Sequence, residues 1–299
     1  LIDVHLHTSD QTATATASFA DANTVIKGTF DFDNEQNFEV TAVTKDADVS
    51  TIFSDVEWLS GTVSGEVLAR GSLQDLRNTS LQVELSRLSG SVGDVNIEIA
   101  RPASITYESE TLEVNDFDVT LGSTRVKVNG ALASEDDRSL TAQIAGNVED
   151  FGNVINNVIN PNSSLSAITS SGTLSLLLTG TGKLDNIDIV GNIDLARAEV
   201  ALANMDPFTD ISLSASIRDK TLFVEQIQGH WAGATLEAST SVPFEVAFPS
   251  LPLTFQSLVA ESNRSAHIHA EIQSLTPEAL ANFVDSSVLT GHLHPQLQP

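Results

Sequence analysis

The sequence predicts a mostly β protein: an elongated, repetitive, curved antiparallel sheet folded into a U-shaped groove, with a few short helices. Three observations lead to this fold class. Apolar and polar residues alternate along most of the chain, as strands with one buried face require. Gly, Asn and Asp clusters interrupt the alternation at short intervals, which is typical of hairpin turns. Glycines also recur inside the alternating tracts, where they allow a sheet to bend sharply.

The predicted strands follow one another with few interruptions. Clear examples in the first half of the chain lie at 95–99, 117–121 and 126–128. In the second half the alternation is strongest at 173–179 and resumes at 187–195. A sheet with one dry face must bury that face, either by closing on itself or by curling into a trough. Alternation alone does not distinguish a filled core from a groove that a ligand can fill.

Three short segments are predicted to be helices. Residues 49–53 follow Asp48 and residues 151–158 follow Asp150, and Asp is a common helix N-cap. A third helix is predicted at 276–284, because its Thr-Pro start is a strong helix signal. Helices this few and this short do not form alternating βα units, which argues against a barrel enzyme.

These helices mark an internal repeat. Each follows an alternating strand and precedes a strand with Gly, which makes Gly61, Gly172 and Gly291 equivalent, at spacings of 111 and 119 residues. We therefore expect a chain cut from a longer array, in which each repeat contacts mainly its neighbours. The expected boundaries are the tail of a preceding repeat at 1–37, a first repeat at 38–139, a second repeat at 140–265, and the head of a third, truncated repeat at 266–299.

Composition excludes several classes of function. The chain has 14 Lys and Arg against 40 Asp and Glu, a net charge of −26. Nucleic acid repels such a polyanion, so no nucleic-acid partner is expected. The lack of Cys excludes disulfides and cysteine-based metal sites. No apolar run approaches the roughly 20 residues that cross a bilayer, so any membrane anchor of the parent protein is expected outside this chain.

The stretch IDVHLHTSD at 2–10 resembles the start of the metal-dependent phosphoesterases of the PHP family. Its H-x-H motif recurs at 267–269 and 292–294, but no carboxylate or His stands at a fixed spacing from each pair. Alternation places the His pairs on the wet face of a strand, and Val4 and Leu6 on the dry face. Because nucleophile and phosphate-loop motifs are also missing, we expect no enzyme, no metal and no cofactor. A metal-dependent hydrolase is a remote alternative.

The glycine pattern of the second repeat resembles the repeated core of AsmA-like proteins, and of the TamB family most closely. The stretch GTLSLLLTGTGKLDNIDIVGNIDLARAEVAL at 172–202 carries the resemblance, which continues to the Gly-containing turn and strand near residue 233. One departure is Ala234, where the family pattern has a second Gly. The resemblance implies a β-taco, an elongated sheet around an apolar groove. The matching positions are Gly172, Gly182, Gly191, Pro207, Asp210, Gly229 and Gly233, with looser matches at Gly61, Gly71, Gly122 and Gly130.

The resemblance also implies a function. The chain is expected to be a periplasmic segment that gives phospholipid acyl chains a hydrophobic groove between the inner and outer membranes. The implied partner is a TamA-like outer-membrane barrel, and the parent protein is expected to be anchored in the inner membrane. The alternative is a structural or assembly scaffold for outer-membrane protein insertion and secretion, acting through sheet-edge pairing. The residues expected to line the groove are Leu174, Leu176, Leu178, Leu184, Ile187, Ile189, Ile193, Leu195, Val95, Ile97, Ile99, Val119, Leu121, Val126 and Val128.

Overall fold

A computed structural model shows one antiparallel sheet of 17 strands. The structure describes residues 2–9, 11–20, 22–32, 36–52, 58–133, 138–150, 169–183, 186–201, 206–243 and 267–273. The strands of the first half are β1 Ile2–Thr8, β2 Thr12–Phe19, β3 Thr24–Asp31, β4 Asn37–Asp48, β5 Leu59–Ser72, β6 Asp75–Val92, β7 Val95–Ile99, β8 Ala103–Glu108 and β9 Thr111–Leu121. Those of the second half are β10 Thr124–Leu132, β11 Ser139–Asn147, β12 Thr169–Lys183, β13 Asn186–Ala201, β14 Phe208–Arg218, β15 Thr221–Trp231, β16 Ala234–Pro243 and β17 His267–Gln273.

The strands form a meander in which consecutive strands pair, with the exception of β7 and β8. One strand position is divided. Strands β7 and β8 lie end to end, and both pair with β6 on one side and β9 on the other. Pro102 lies at the division, where its missing N–H cannot join a ladder. The predicted fold class, an elongated and mostly antiparallel β protein with little helix, is confirmed.

The short helix α1, Val49–Ile52, connects β4 to β5 where the sequence predicted a helix. Asp48 caps it: the backbone N–H of Ser50 donates to Asp48 Oδ1 at 2.9 Å, and the Ser50 hydroxyl donates at 2.6 Å. These hydrogen bonds hold the pKa of Asp48 below its ordinary value. Residues 148–150 are helical between β11 and β12. The helices predicted at 151–158 and 276–284 lie outside the described residues.

Two glycines that the sequence aligned share an unusual geometry within their strands. Gly61 in β5 has φ 129°, and Gly172 in β12 has φ 121°. A Cβ on Gly61 would lie 2.3 Å from the carbonyl oxygen of Ser89, and one on Gly172 would lie 2.6 Å from the Cα of Ala198. Neighbouring backbones therefore approach too closely for any side chain at these positions. The β12–β13 register also shifts at Gly172, as expected where a sheet bends.

The two helical connections between strands are separated by an even number of strand positions. When β7 and β8 are counted as one position, α1 and the helical residues 148–150 are six strand positions apart. Strands β5 and β12, which carry the two aligned glycines, are separated by the same count. Because six is even, both helical connections lie along the same rim of the sheet. The repeat boundaries proposed from the sequence stay a prediction.

Buried apolar residues form two clusters within one layer. The first joins Ile99, Ala103 and Val119, with half-buried Leu85, Leu88, Ile97 and Phe117 packed around them. The second joins Leu132 in β10 and Ile187 in β13, although β11 and β12 lie between those strands. A Cβ on Gly180 in β12 would contact both Leu132 and Ile187. The sheet therefore curls between β10 and β13, and Leu132 packs over Gly180, which has no side chain.

The opposite face carries one strong ion pair. The Asp118 side chain is 4% exposed, and the Arg125 guanidinium binds it through Nε at 2.7 Å and a terminal nitrogen at 2.6 Å. These paired hydrogen bonds hold the pKa of Asp118 below its ordinary value. Asp118 lies beside the division between β7 and β8, where the backbone N–H of Ala100 donates to its carbonyl oxygen. The pair therefore fastens β9 to β10 beside the divided strand.

Candidate apolar groove

Cross-strand register defines the face that we call the inner face. Directly paired residues in an antiparallel sheet point to the same side, so successive pairs trace a row across the strands. One row runs from β1 to β13 without a polar side chain. Its members are Val4, Ala17, Ile26, Ala42, Val67, Val83, Ile105, Val114, Gly130, Leu140, Gly180 and Ile189.

A second row overlaps the first and continues to β16. All its members are apolar except the last, which is an uncharged Thr. Together the two rows form an uncharged path that crosses sixteen strands, from β1 to β16. The members of the second row are Ile99, Val119, Val126, Ile144, Leu176, Ile193, Ala215, Val224 and Thr240.

Of the residues that the sequence predicted to line a groove, all those that the structure describes lie on this inner face. Leu184 lies outside the described residues. Four members are buried: Val95, Ile99, Val119 and Ile187. The others are half-buried: Leu174, Leu176, Leu178, Ile189, Ile193, Leu195, Ile97, Leu121, Val126 and Val128.

Neighbouring residues on the same strands show the opposite exposure. In β12, Thr173, Ser175 and Leu177 are exposed, whereas the residues between them are half-buried. Leu177, on the outer face, is 45% exposed. Several inner-face residues of the first half are also exposed, including Val67 at 39% and Leu81 at 38%. The inner face of the described chain is therefore covered unevenly, with apolar surface still in contact with solvent.

Sequence reasoning missed a cavity on the inner face. It is open to solvent and has a volume of about 600 Å³, between β2 and β6 and next to α1. Glu66 and Glu84 contribute to its wall, but they pair with each other in an outer-face row and both are exposed. The sequence signal was weak, since β2 reads TATATASF and its inner-face residues are three Ala followed by Phe19. The apolar lining of the cavity comes from Phe19, Ile26, Val63, Val67, Val83 and Leu85, and the hydroxyl groups of the cavity come from Thr24, Thr44 and Thr51.

The His-containing strands do not form a metal centre in the described part of the chain. His5 and His7 are exposed, and His5 Nε2 contacts one carboxylate, Asp3 Oδ2, at 3.2 Å. No group of three described His, Asp or Glu residues is placed to hold a metal ion. Register places Val4 and Leu6 on the inner face, but the expectation that they are buried there is wrong, since they are 63% and 70% exposed. Within the described chain β1 has β2 on one side only, so little covers its side chains.

Comparison of the chain with protein-family models, with curated proteins and with solved structures found no match. Within the described residues, no helix has the length and apolar character to span a bilayer. The class of the protein rests on its fold and its inner face: it is a repetitive antiparallel β protein with a continuous uncharged face.

Proposed function

We propose that the inner face is a groove for the acyl chains of phospholipids. The observation that carries this proposal is the pair of overlapping rows, which extend an uncharged, partly solvent-exposed surface across sixteen strands. Burial of an acyl chain contributes about 0.8 kcal/mol per CH₂. Such binding is non-directional, so a chain can move along the groove without breaking specific bonds. No catalytic residue is required.

The wider setting is part of the same proposal. A sheet with regular interior glycines and an apolar trough resembles the repeated core of AsmA-like and TamB proteins, as set out from the sequence. By that resemblance the chain is a periplasmic segment of a protein anchored in the inner membrane. It passes phospholipids toward the outer membrane, and a TamA-like barrel is its partner there.

The partial burial of the inner face supports a groove over a closed core. In a sandwich of two packed layers, inner side chains of the central strands are fully buried. Here Leu174, Leu176 and Leu178 are half-buried although β12 has paired strands on both sides. A trough open to solvent gives this pattern.

Adjacent leucines on β12 provide a matched test. Leu176→Glu places a charge in the groove, and Leu177→Glu places the same charge on the outer face of the same strand. We expect Leu176→Glu to reduce phospholipid transfer between donor and acceptor vesicles by about tenfold or more, because an acyl chain that covers this position must desolvate the carboxylate. Leu177→Glu is expected to transfer lipid at close to the wild-type rate.

Organic extraction of the purified protein, followed by mass spectrometry, provides the second readout. Phospholipid is expected with the wild type and with Leu177→Glu, and in reduced amount with Leu176→Glu. Circular dichroism and thermal unfolding establish that both variants fold. Absence of phospholipid from the wild type, together with equal transfer by the two variants, would show that the groove does not carry lipid.

A second candidate function is an assembly scaffold, and the edge strand β1 favours it. The edge of β1 away from β2 has no partner among the described strands, and it presents exposed Val4 and Leu6. Exposed apolar edges are templates for strand addition. Leu6→Lys in the full-length parent tests this function. A scaffold predicts lower outer-membrane protein levels with unchanged lipid transfer, whereas a groove alone predicts lower lipid transfer, because Leu6 pairs with Ala15 on the inner face.

A further inference from the structure

We infer that the groove discriminates against lipids with a net negative headgroup. This inference rests on the proposed function and names the class of lipid that the groove accepts: zwitterionic headgroups, as in phosphatidylcholine and phosphatidylethanolamine. It follows from where the strands end. In a sheet folded lengthwise, the two rows of strand ends border the open slot, so a headgroup whose acyl chains occupy the trough must lie between those rows.

The strand order assigns each connection to one of two rims. The helix rim contains α1, residues 148–150 and the turns at 93–94, 122–123 and 232–233. The turn rim contains the turns at 73–74, 109–110 and 219–220.

Carboxylates outnumber cations on both rims in the part of the chain that the structure describes. The helix rim carries Asp48, Asp94, Glu149, Asp150 and Asp206 against Lys45. The turn rim carries Asp31, Asp75, Glu108, Glu110 and Asp219 against Arg138, Arg218 and Lys220.

The overall charge balance has the same sign. The net charge of the chain is −26, and among the described residues four arginines form ion pairs on the sheet surface with Glu39, Asp46, Asp116 and Asp118. An anionic headgroup in the slot therefore meets carboxylates on both sides. A zwitterionic headgroup presents an ammonium group to them, which complements their charge. Both lipid classes gain the same free energy from their acyl chains, so the headgroup decides between them.

Competition binding tests this selection with lipids that differ only in their headgroups. A fluorescent phosphatidylcholine bound to the protein is displaced with unlabelled phosphatidylcholine, phosphatidylethanolamine or phosphatidylglycerol of identical acyl composition. At low salt we expect phosphatidylglycerol to compete about three- to tenfold less well. The difference is expected to shrink at about 0.5 M salt, where the Debye length falls below the width of a headgroup.

Charge-reversal variants locate the effect. Asp94→Lys on the helix rim and Glu110→Lys on the turn rim are each expected to improve competition by phosphatidylglycerol about two- to fivefold at low salt. Glu98→Lys changes the net charge equally, but its side chain lies on the outer face between Ile97 and Ile99, and it is expected to have no selective effect. Equal competition by all three lipids in the wild type overturns the selection and leaves the groove intact. An equal response to Glu98→Lys also overturns it, and failure of any lipid to bind overturns the proposed function as well.

Discussion

At the scale of single residues, the Asp118–Arg125 pair gives the fold a defined dependence on pH. The pKa of Asp118 is lowered in the folded protein, so the folded state binds the proton less tightly than the unfolded state. The stability from this pair is therefore complete above the carboxyl pKa of the unfolded chain. It is lost as the pH falls through the lower, folded-state pKa, in the range below about pH 4.

Asp118→Asn tests this contribution. At neutral pH we expect the variant to lose about 1–3 kcal/mol of unfolding free energy, because the charged hydrogen bonds from half-exposed Arg125 to the nearly buried Asp118 carboxylate are weakened. The loss is expected to vanish as the pH falls below about 4. Urea unfolding across pH is the measurement. The matched control is Asp116→Asn, since Asp116 forms an exposed ion pair with Arg101 and is expected to contribute under about 1 kcal/mol. A loss at neutral pH that persists unchanged at pH 3 would contradict this account.

Residue identity predicted much of the inner face but little of its local geometry. Leu, Ile and Val at every second position indicated which residues at 174–178 and 187–195 share the inner face, because their contrast with Ser, Thr and Asp is strong. The Ala and Thr of β2 have little contrast, so the cavity at the first half was missed. The positive φ angles of Asp46, Asp116 and Asp210 were equally hidden, since each lies at a register shift that tertiary pairing selects.

At the scale of strands and turns, interior glycines shape the sheet. Gly172→Ala is expected to cost about 1–3 kcal/mol, because φ of 121° is unfavourable for Ala and the new methyl group meets the backbone of Ala198. Ser175→Ala on the same strand, where the side chain is exposed, is the control and is expected to change the unfolding free energy by under about 0.5 kcal/mol. Denaturant midpoints compare the two variants, and equal midpoints would show that the bend at Gly172 carries no strain.

The turn between β9 and β10, on the helix rim, is held by a carboxylate that follows β11. Asp150 accepts hydrogen bonds from the N–H and hydroxyl of Ser123 at 2.9 and 2.7 Å, and from the hydroxyl of Thr124 at 2.9 Å. Thr124 is fully buried, and its oxygen also accepts the N–H of Asn147. The sequence suggested Asp150 only as a helix cap. Its contact with a turn more than twenty residues away depends on the pairing of β10 with β11, which no local pattern encodes.

At the scale of the whole molecule, the sequence was most informative about architecture. Period-two alternation and closely spaced turn signals predicted a continuous meander, and nearest-neighbour pairing of successive strands is what the structure shows. The division of β7 from β8 was not predicted, although Pro102 was a readable signal for it. The function was less accessible, because a groove and a core share the same alternation and differ only in what covers the inner face.

The even strand count between the two helical connections fixes how such a protein can change in size. Six strand positions extend the sheet by about 29 Å at the usual spacing between strands. An even number of strands returns the chain to the rim from which it started, so a duplicated or deleted unit leaves the orientation of every later strand unchanged. Length is then a modular property: the span of the molecule can change in steps of one unit without redesigning either end.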